Sequence, residues 1–289
     1  MTTTTNKLPG TAGRIAELYG NNIALHSMYD QVGSGFYHSF MAFDTAEVDE
    51  IVTAAASRKG GSLLELACGS GRITLPLLDD GWTDVTGLDL SPAMLDLLNE
   101  RLAGRRADGK PAEVKTVHGD MTDFDLGRTF DVIVLAATAV WNIDADGRAK
   151  LFDCVRRHLN PNGVFLFTAL AIPGFEEAPA PFEYTSVFVT QDDTSPVLCT
   201  FIDHVDPSGL RCTSVLCNRI SDGSVSDAAI YSAWTHLVPL PELENKELPA
   251  AGLTALNSAE VVNKHQITRA SRSSARQRVL YEAGLANAW

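Results

Sequence analysis

Residues 62–93 contain the stretch of this sequence that most limits its possible folds. A short, mainly apolar segment, SLLEL, runs into a loop of small residues, ACGSG, at 67–71. Isoleucine and leucine then recur at nearly helical spacing. A second apolar segment, VTGL, ends in Asp89, 18 residues beyond Gly71. The pattern predicts a strand, a tight turn, a helix and a second strand, which together form a βαβ unit.

The turn and the acid that follows it favour a nucleoside as ligand. Gly69 and Gly71 let backbone N–H groups approach a ligand closely, and the helix N-terminus after them favours negative charge. Asp89 stands close to where a nucleotide-binding βαβ unit places the acid for ribose hydroxyls. A GxG turn alone is weak evidence, and a dehydrogenase would have glycine or alanine in place of Thr74. A turn without a ligand is the alternative interpretation.

Five segments in a fixed order narrow this choice: ELACGSGR, GLDLSPAML, VHGDMTDF, FDVIVL and LNPNGVFLF. In order and spacing they resemble the motifs of class I S-adenosylmethionine (SAM)-dependent methyltransferases, over roughly residues 60–170. The resemblance implies an α/β fold, a Rossmann-like mixed sheet of seven strands with helices on both faces. A small antiparallel β insertion and an N-terminal helical lid are expected in addition.

The predicted elements divide the chain into four parts. Residues 1–43 are expected to form a tail and lid, and residues 44–174 the SAM-binding core. Extended segments separated by DPSG and SDGS turns predict an antiparallel insertion over 175–240, which roofs the substrate or forms a dimer interface. Residues 241–289 return to the core sheet after a helix over 241–251, and within the core a helix over about 145–158 leads to a turn at 160–163. Within the core, Asp44 and Glu47 have the spacing of a capping box and predict a helix start.

The resemblance also implies which residues bind the cofactor. The backbone at Gly69 and Gly71 would border the amino-acid end of SAM, and Glu65 would orient its amino group. Asp89 would accept hydrogen bonds from both ribose hydroxyls, and Asp120 would bind the adenine amino group. Alternatively, Glu65 is a strand-end charge and Asp120 an ordinary turn acid. The full implied set is Glu65, Ala67, Gly69, Gly71, Asp89, Leu90, Met94, Gly119, Asp120, Met121 and Ala137.

The methyl acceptor is less well defined by the sequence. Aromatic residues of the N-terminal segment and of the stretch after the fourth strand are expected to contact the substrate, although packing onto the core is the alternative for each; they are Tyr19, Tyr29, Tyr37 and Trp141. An amine or a hydroxyl must lose a proton, so histidines are the candidate acid–base groups. The candidates are His38, His204 and His236, with His26 as a further possibility.

Composition limits the partners. The net charge of −13 argues against sequence-independent binding of nucleic acid, because such binding needs Lys and Arg side chains that neutralise the phosphates. No run of about 18 apolar residues exists and the N-terminus lacks an apolar signal core, so a cytoplasmic protein without a membrane partner is expected. The five cysteines form no CxxC pair, and no metal is expected. A basic cluster near the C-terminus is expected to be a solvated face, or else to meet an anionic group; it comprises Lys264, Arg269, Arg272, Arg276 and Arg278.

These observations favour an enzyme that converts SAM to S-adenosyl-L-homocysteine while it methylates an amine of a small molecule or peptide. The layout resembles N-methyltransferases that tailor secondary metabolites, including amino sugars and peptide termini. A homodimer is a further expectation. Alternatives are an O-methyltransferase that acts on a hydroxyl or carboxylate, a SAM-binding protein without transfer activity, and a dehydrogenase.

Overall fold

The computed structural model describes residues 7–41, 47–191, 196–261 and 277–286, and the chain divides into two compact units. The first unit comprises Met1–Tyr37 and Gly174–Leu237, and the second comprises His38–Pro173 and Val238–Trp289. Each unit contains one sheet. The second unit holds the βαβ turn and therefore most of the predicted cofactor residues.

Helices and strands largely alternate along the first half of the chain, and strands predominate after α6. The strands are β1 Ala24–Ser27, β2 Ser62–Leu66, β3 Asp84–Asp89, β4 Lys115–His118, β5 Phe130–Leu135, β6 Leu159–Ala171, β7 Phe182–Gln191, β8 Pro196–Val205, β9 Leu210–Ser221, β10 Ser224–His236, β11 Leu253–Glu260 and β12 Gln277–Leu285. The main helices are α1 Gly10–Tyr19, α2 Gly33–Met41, α3 Val48–Ala55, α4 Thr74–Asp79, α5 Pro92–Ala107 and α6 Ala145–His158. Within the described ranges, no helix has the length and apolar character needed to cross a membrane.

Seven strands of the second unit form the mixed sheet that the family resemblance implies, in the order β11-β12-β6-β5-β2-β3-β4. Strands β2 to β6 pair in parallel, whereas β12 pairs antiparallel with both β6 and β11. Strand β3 lies on one side of β2 in the sheet, whereas β5 lies on the other side of β2, so the direction of strand addition reverses at β2. The crevice beyond the carboxyl ends of β2 and β5 is therefore a topological switch point, where open α/β sheets bind ligands.

Helices cover both faces of this sheet because its central strands are apolar on both sides. On one face, buried side chains of β2, β5 and β6 pack with those of α3, α4 and α5. On the other face, Phe152 of α6 lies 6.3 Å from both Phe165 and Phe167 of β6, measured between ring centroids. Val164 and Leu166 alternate with these rings and belong to the first face. The fold is thus the Rossmann-like α/β arrangement expected from the motifs.

The first unit contains a five-stranded sheet in the order β1-β10-β9-β8-β7. Strands β7 to β10 are antiparallel neighbours, and the short β1 adds in parallel to β10. The predicted turns at 206–209 and 221–224 lie at the β8–β9 and β9–β10 connections. Tyr19 of α1 donates a hydrogen bond to Asn218 Oδ1 at 3.0 Å, which ties the N-terminal segment to this sheet.

Three sequence predictions in the second unit were wrong in detail. The predicted helix over 241–251 is three short segments, Leu240–Glu242, the π-helical Leu243–Glu247 and Leu248–Ala250. Pro249 explains the break, because it has no N–H and its ring crowds the carbonyl four residues earlier. The predicted turn at 160–163 lies within β6, where the β5–β6 register jumps from Leu159 to Val164.

The third correction concerns the helix expected from Asp44. Helix α3 begins at Val48, and Glu47 makes no capping hydrogen bond with its side chain. Asp44 itself lies outside the described residues. Four members of the predicted basic cluster also lie outside them: Lys264, Arg269, Arg272 and Arg276.

A buried ion pair holds α6 to the segment that precedes β11. Arg148 is 1% exposed, and its guanidinium donates to both carboxylate oxygens of Glu247 at 2.7 and 2.9 Å. It also donates to the Ile143 carbonyl at 2.9 Å and lies 5.4 Å from the centre of the Trp141 ring. Removing one charge leaves the other buried without its partner, which is costly.

We therefore expect Glu247→Gln to lower the free energy of unfolding by about 3 kcal/mol, because the Arg148 charge stays buried. Chemical denaturation monitored by circular dichroism measures this change. Lys246→Gln is the matched control: its ion pair with Glu242 is mostly exposed, and its loss should cost less than about 1 kcal/mol. Equal effects of the two substitutions would contradict a structural role for the buried pair.

Candidate functional site: the turn after the first core strand

The loop of small residues after β2 is a compact turn held to the next strand. Its Cys68 N–H donates to the Leu88 carbonyl of β3 at 3.1 Å, and the Gly71 N–H donates back to the Cys68 carbonyl at 3.0 Å. Ala67, Gly69 and Gly71 all have positive φ, at 50°, 54° and 87°. The turn therefore presents its backbone at the carboxyl edge of the sheet.

The two glycines of this turn are needed for different reasons. A Cβ placed on Gly69 would have no heavy atom within 4 Å, so the space beside this backbone is open to a ligand. A Cβ on Gly71 would lie 2.6 Å from Leu98 Cδ1, so this glycine lets α5 pack against the turn. The open space at Gly69 would let a ligand approach this backbone closely.

Asp89 links the turn to the end of β3. Its Oδ2 accepts the Gly69 N–H at 2.7 Å, and its Oδ1 accepts the Ser91 N–H at 2.8 Å. Burial raises the pKa of Asp89, while these backbone hydrogen bonds act to lower it. The Leu90 N–H acts on the same carboxylate, and because an ionised carboxylate accepts about four hydrogen bonds, Asp89 keeps capacity for a further donor.

Glu65 lies behind the turn rather than on its surface. Glu65 is 2% exposed, and the Thr74 hydroxyl donates a hydrogen bond to the Glu65 Oε2 atom. Burial raises the pKa of Glu65 to about 8, although the hydrogen bond from Thr74 and the charge of Arg72 act in the opposite direction. Thr74 thus has a defined partner at the position where a dehydrogenase would have glycine or alanine.

The remaining predicted cofactor residues lie along the same edge of the sheet. The Gly119 N–H donates to the Asp89 carbonyl at 3.0 Å, which joins the residues after β3 and β4. The Leu90 residue is 51% exposed, whereas Met94 is buried. Asp120 Oδ1 accepts from both the N–H and the hydroxyl of Thr122 at 2.8 Å, so this acid also shapes its own turn. Met121 is half-buried beside it.

Glu47 is a residue that the sequence interpretation missed as part of this edge. Its side chain is fully buried, and its Oε1 accepts from the Ala137 N–H at 2.8 Å and from the Arg72 guanidinium. The capping-box pattern assigned Glu47 to helix capping instead. A left-handed backbone at φ 68° turns its side chain inward, and this conformation has no signal in the sequence.

The candidate histidines belong to different units of the chain. His38 belongs to the second unit, where its Nδ1 lies 2.7 Å from the Ser70 hydroxyl of the turn. Burial, with the charge of Arg101, lowers the pKa of His38 and favours its neutral form. His204 and His236 belong to the first unit. His204 Nδ1 lies 3.2 Å from the Glu183 carboxylate, which also accepts the Thr11 N–H of α1.

The candidate substrate residues are also distributed over both units. Tyr19, Tyr29 and Tyr37 belong to the first unit, where the Tyr29 and Tyr37 rings meet edge to face at 5.3 Å. Trp141 belongs to the second unit and is 0% exposed. Its indole N–H donates to the Leu170 carbonyl at 3.1 Å. This burial supports the core-packing alternative for Trp141 over a substrate contact.

Comparison with known proteins confirms the resemblance to SAM-dependent methyltransferases. Residues 63–163 match the model of the methyltransferase domain family. The chain is 32% identical over 160 residues to the dTDP-4-amino-2,3,4,6-tetradeoxy-D-glucose N,N-dimethyltransferase of Saccharopolyspora spinosa. The aligned region covers 52% of this chain and 58% of the relative. It is 32% identical over 157 residues to the dTDP-3-amino-3,6-dideoxy-alpha-D-glucopyranose N,N-dimethyltransferase of Streptomyces fradiae, over 53% and 55% of the two chains. The chain thus spans a little over half the length of these curated relatives.

Solved structures confirm the fold over more of the chain. The glycopeptide N-methyltransferase MtfA, in complex with SAM, aligns with a TM-score of 0.60 at 24% identity and covers 96% of this chain and 98% of its own. The CcbJ methyltransferase from Streptomyces caelestis aligns with a TM-score of 0.64 at 20% identity, over 83% and 91%. The fold is that of the SAM-dependent methyltransferases.

The contacts of Asp89 generate a first binding prediction. Asp89→Ala removes a charged acceptor for ribose and should weaken SAM binding by about 1.5–3 kcal/mol, as measured by isothermal titration calorimetry. Asp84→Ala is the matched control, because Asp84 begins the same strand and its carboxylate pairs with Arg128 at the surface. Unchanged affinity in Asp89→Ala, or equal losses in both variants, would remove Asp89 from the site.

The raised pKa of Glu65 generates a second prediction. With a pKa of about 8, only about one-tenth of Glu65 is ionised at pH 7. If Glu65 orients the ammonium group of the ligand, binding must ionise the acid, so a proton leaves and affinity rises as the pH increases from 6.5 to 8.5. Calorimetry with S-adenosylhomocysteine in two buffers of different ionisation enthalpy measures this proton release.

Glu65→Gln is the control for the ligand's own titration. It cannot release a proton, so the difference between the two proteins reports Glu65 alone. Equal proton release by both proteins would show that Glu65 does not bind the amino group.

Proposed function

We propose that the chain is a SAM-dependent methyltransferase that methylates an amine of a small-molecule or peptide natural product. The main support is the turn after β2, which leaves open space at Gly69 and is tied to Asp89 at the end of the next strand. This arrangement supplies backbone for the amino-acid end of SAM and a carboxylate for its ribose. The named activities of the curated relatives, which are amino-sugar N,N-dimethyltransferases, support the choice of nitrogen.

Bound SAM would supply an activated methyl group on a sulfonium, and transfer leaves S-adenosyl-L-homocysteine. The task of the protein is alignment of the acceptor with that methyl group, which can contribute up to about 7–11 kcal/mol in ideal cases. Asp89 and the Gly69 backbone hold the nucleoside and amino-acid parts in place. Asp120, with Leu90 and Met121, is assigned to the adenine.

An amine must be neutral to attack, so the enzyme needs a proton acceptor or a substrate that arrives deprotonated. His38 is the favoured candidate because its lowered pKa keeps it neutral beside Ser70 of the turn. His204 and His236 stay candidates in the first unit. Tyr19, Tyr29 and Tyr37 stay candidates for substrate contact, whereas Trp141 does not.

A mass-spectrometric screen tests the acceptor. The protein would be incubated with SAM and a panel of amino sugars and peptides with free terminal amines, beside matched alcohols and carboxylic acids. Gain of one or two methyl masses on amines alone is expected. Methylation restricted to alcohols or acids would contradict the nitrogen assignment, and absence of transfer despite measured SAM binding would favour a binding protein without transferase activity.

The partners and location in this proposal rest on charge, thiols and one exposed strand. The net charge of −13 disfavours a nucleic acid substrate. All five cysteines are free thiols, as is usual in a reducing cytoplasm.

Strand β7 is at one edge of the first unit's sheet, and its Val187 and Val189 are 62% and 69% exposed. Such an edge is a template for pairing with another strand, and we assign it to a second copy of the chain.

The dimer proposal predicts that charges on this edge separate the copies. The double variant Val187→Lys and Val189→Lys should sediment as a monomer where the unmodified protein sediments as a dimer, because lysines on the edge oppose strand pairing. Val32→Lys is the control, since Val32 is 56% exposed in the turn before α2 and lies outside the sheet. A monomeric unmodified protein, or a dimeric double variant, would contradict the proposal.

A further inference from the structure

Glu47 bridges the two turns that border the switch-point crevice. One turn follows β2 and ends at Arg72, and the other follows β5 and begins near Ala137. The Oε1 atom of Glu47 accepts from the guanidinium of Arg72 and, at 2.8 Å, from the N–H of Ala137. We propose that Glu47 is a positioning residue that sets the spacing of these turns and thereby the affinity for the amino-acid end of SAM. This inference rests on the proposed function.

The surroundings of Glu47 indicate that its position is strongly determined. Its side chain is 0% exposed, and it keeps a left-handed backbone at φ 68°, which is uncommon for a residue other than glycine. Such backbone strain persists only where neighbouring contacts fix the conformation, and it is concentrated at functional sites. The second oxygen, Oε2, lies 3.8 Å from the Arg278 guanidinium of β12, so a third segment of the unit faces the same carboxylate.

The groups that Glu47 contacts lie toward the ligand edge of the sheet rather than in the apolar core. Ala137 and Thr138 both have positive φ, at 57° and 54°, and the Thr138 N–H donates to the Thr168 hydroxyl at 3.0 Å. Arg72 directly follows Gly71, and its charge acts to lower the pKa of Glu65. Glu47 therefore acts on Ala137 directly. It acts on Glu65 through Arg72 and also through its own charge, which raises the pKa of Glu65. Both of these residues belong to the set assigned to SAM.

The assignment separates two parts of the ligand. Adenosine has the ribose and adenine that Asp89 and Asp120 are assigned to bind, but it lacks the amino-acid end. Adenosine affinity should therefore not depend on Glu47, whereas S-adenosylhomocysteine affinity should. A residue that only stabilised the fold would affect both ligands alike, because both need the same folded unit.

The test is calorimetric titration of the full chain with S-adenosylhomocysteine and with adenosine. Glu47→Gln keeps the size of the side chain and one oxygen for the Ala137 N–H, but loses the charge that holds Arg72. We expect the dissociation constant for S-adenosylhomocysteine to rise at least tenfold and that for adenosine to change less than twofold. Equal changes for the two ligands, or no change for either, would overturn the proposal.

Two further variants keep the test decisive. Glu247→Gln breaks a different buried carboxylate–arginine pair of the same unit, and it should lower stability while it leaves both affinities unchanged. A selective loss of S-adenosylhomocysteine affinity in Glu247→Gln would overturn the proposal. If Glu47→Gln does not fold, Arg72→Gln removes the other partner and should show the same selective loss; retained affinity there would also overturn it.

The proposed function fails in a distinguishable way. If the unmodified protein binds neither ligand, the SAM assignment falls, and the inference about Glu47 falls with it. If it binds both ligands and only the selectivity of Glu47→Gln is absent, the methyltransferase proposal stands and Glu47 is structural.

Discussion

The hydrogen bond from the Gly69 N–H to the Asp89 carboxylate joins the two halves of the ligand edge. It fixes the turn after β2 against the end of β3, and Asp89 reaches on to the first residues before α5 through Ser91. Glycine at 69 keeps the neighbouring space open, while glycine at 71 lets α5 approach. One carboxylate therefore holds the turn after β2 and the segment before α5 together.

The buried acids at this edge differ in how well their surroundings compensate a negative charge. Glu47, Glu65 and Asp89 place three acids near the carboxyl ends of adjacent strands, and Arg72 is a nearby counter-charge. Burial disfavours the ionised form of a carboxyl group unless a partner compensates it. Glu47 has its arginine and Asp89 its backbone N–H groups, whereas Glu65 has mainly the Thr74 hydroxyl. The least compensated acid is thus the one assigned to the ligand's amino group.

Sequence patterns predicted the local elements well and the long-range contacts poorly. The bounds of β2 and α6 and the position of Asp89 follow from apolar spacing and small-residue turns, which are local signals. Glu47 was misassigned because its partners lie 25 and 90 residues away and its backbone conformation is set by them. The register jump that absorbs residues 160–163 into β6 and the parallel addition of β1 also depend on distant strands.

The contact between Thr74 and Glu65 has an evolutionary consequence. Glu65 is enclosed in the core of the βαβ unit, and the Thr74 hydroxyl is its hydrogen-bond donor. A drift to glycine or alanine at position 74, the residues typical of dinucleotide-binding turns, would leave a buried acid without that donor. The two positions are therefore expected to change together among related chains. The Thr74–Glu65 pair behind the turn therefore opposes substitution of position 74 by the residues of a dinucleotide-binding turn.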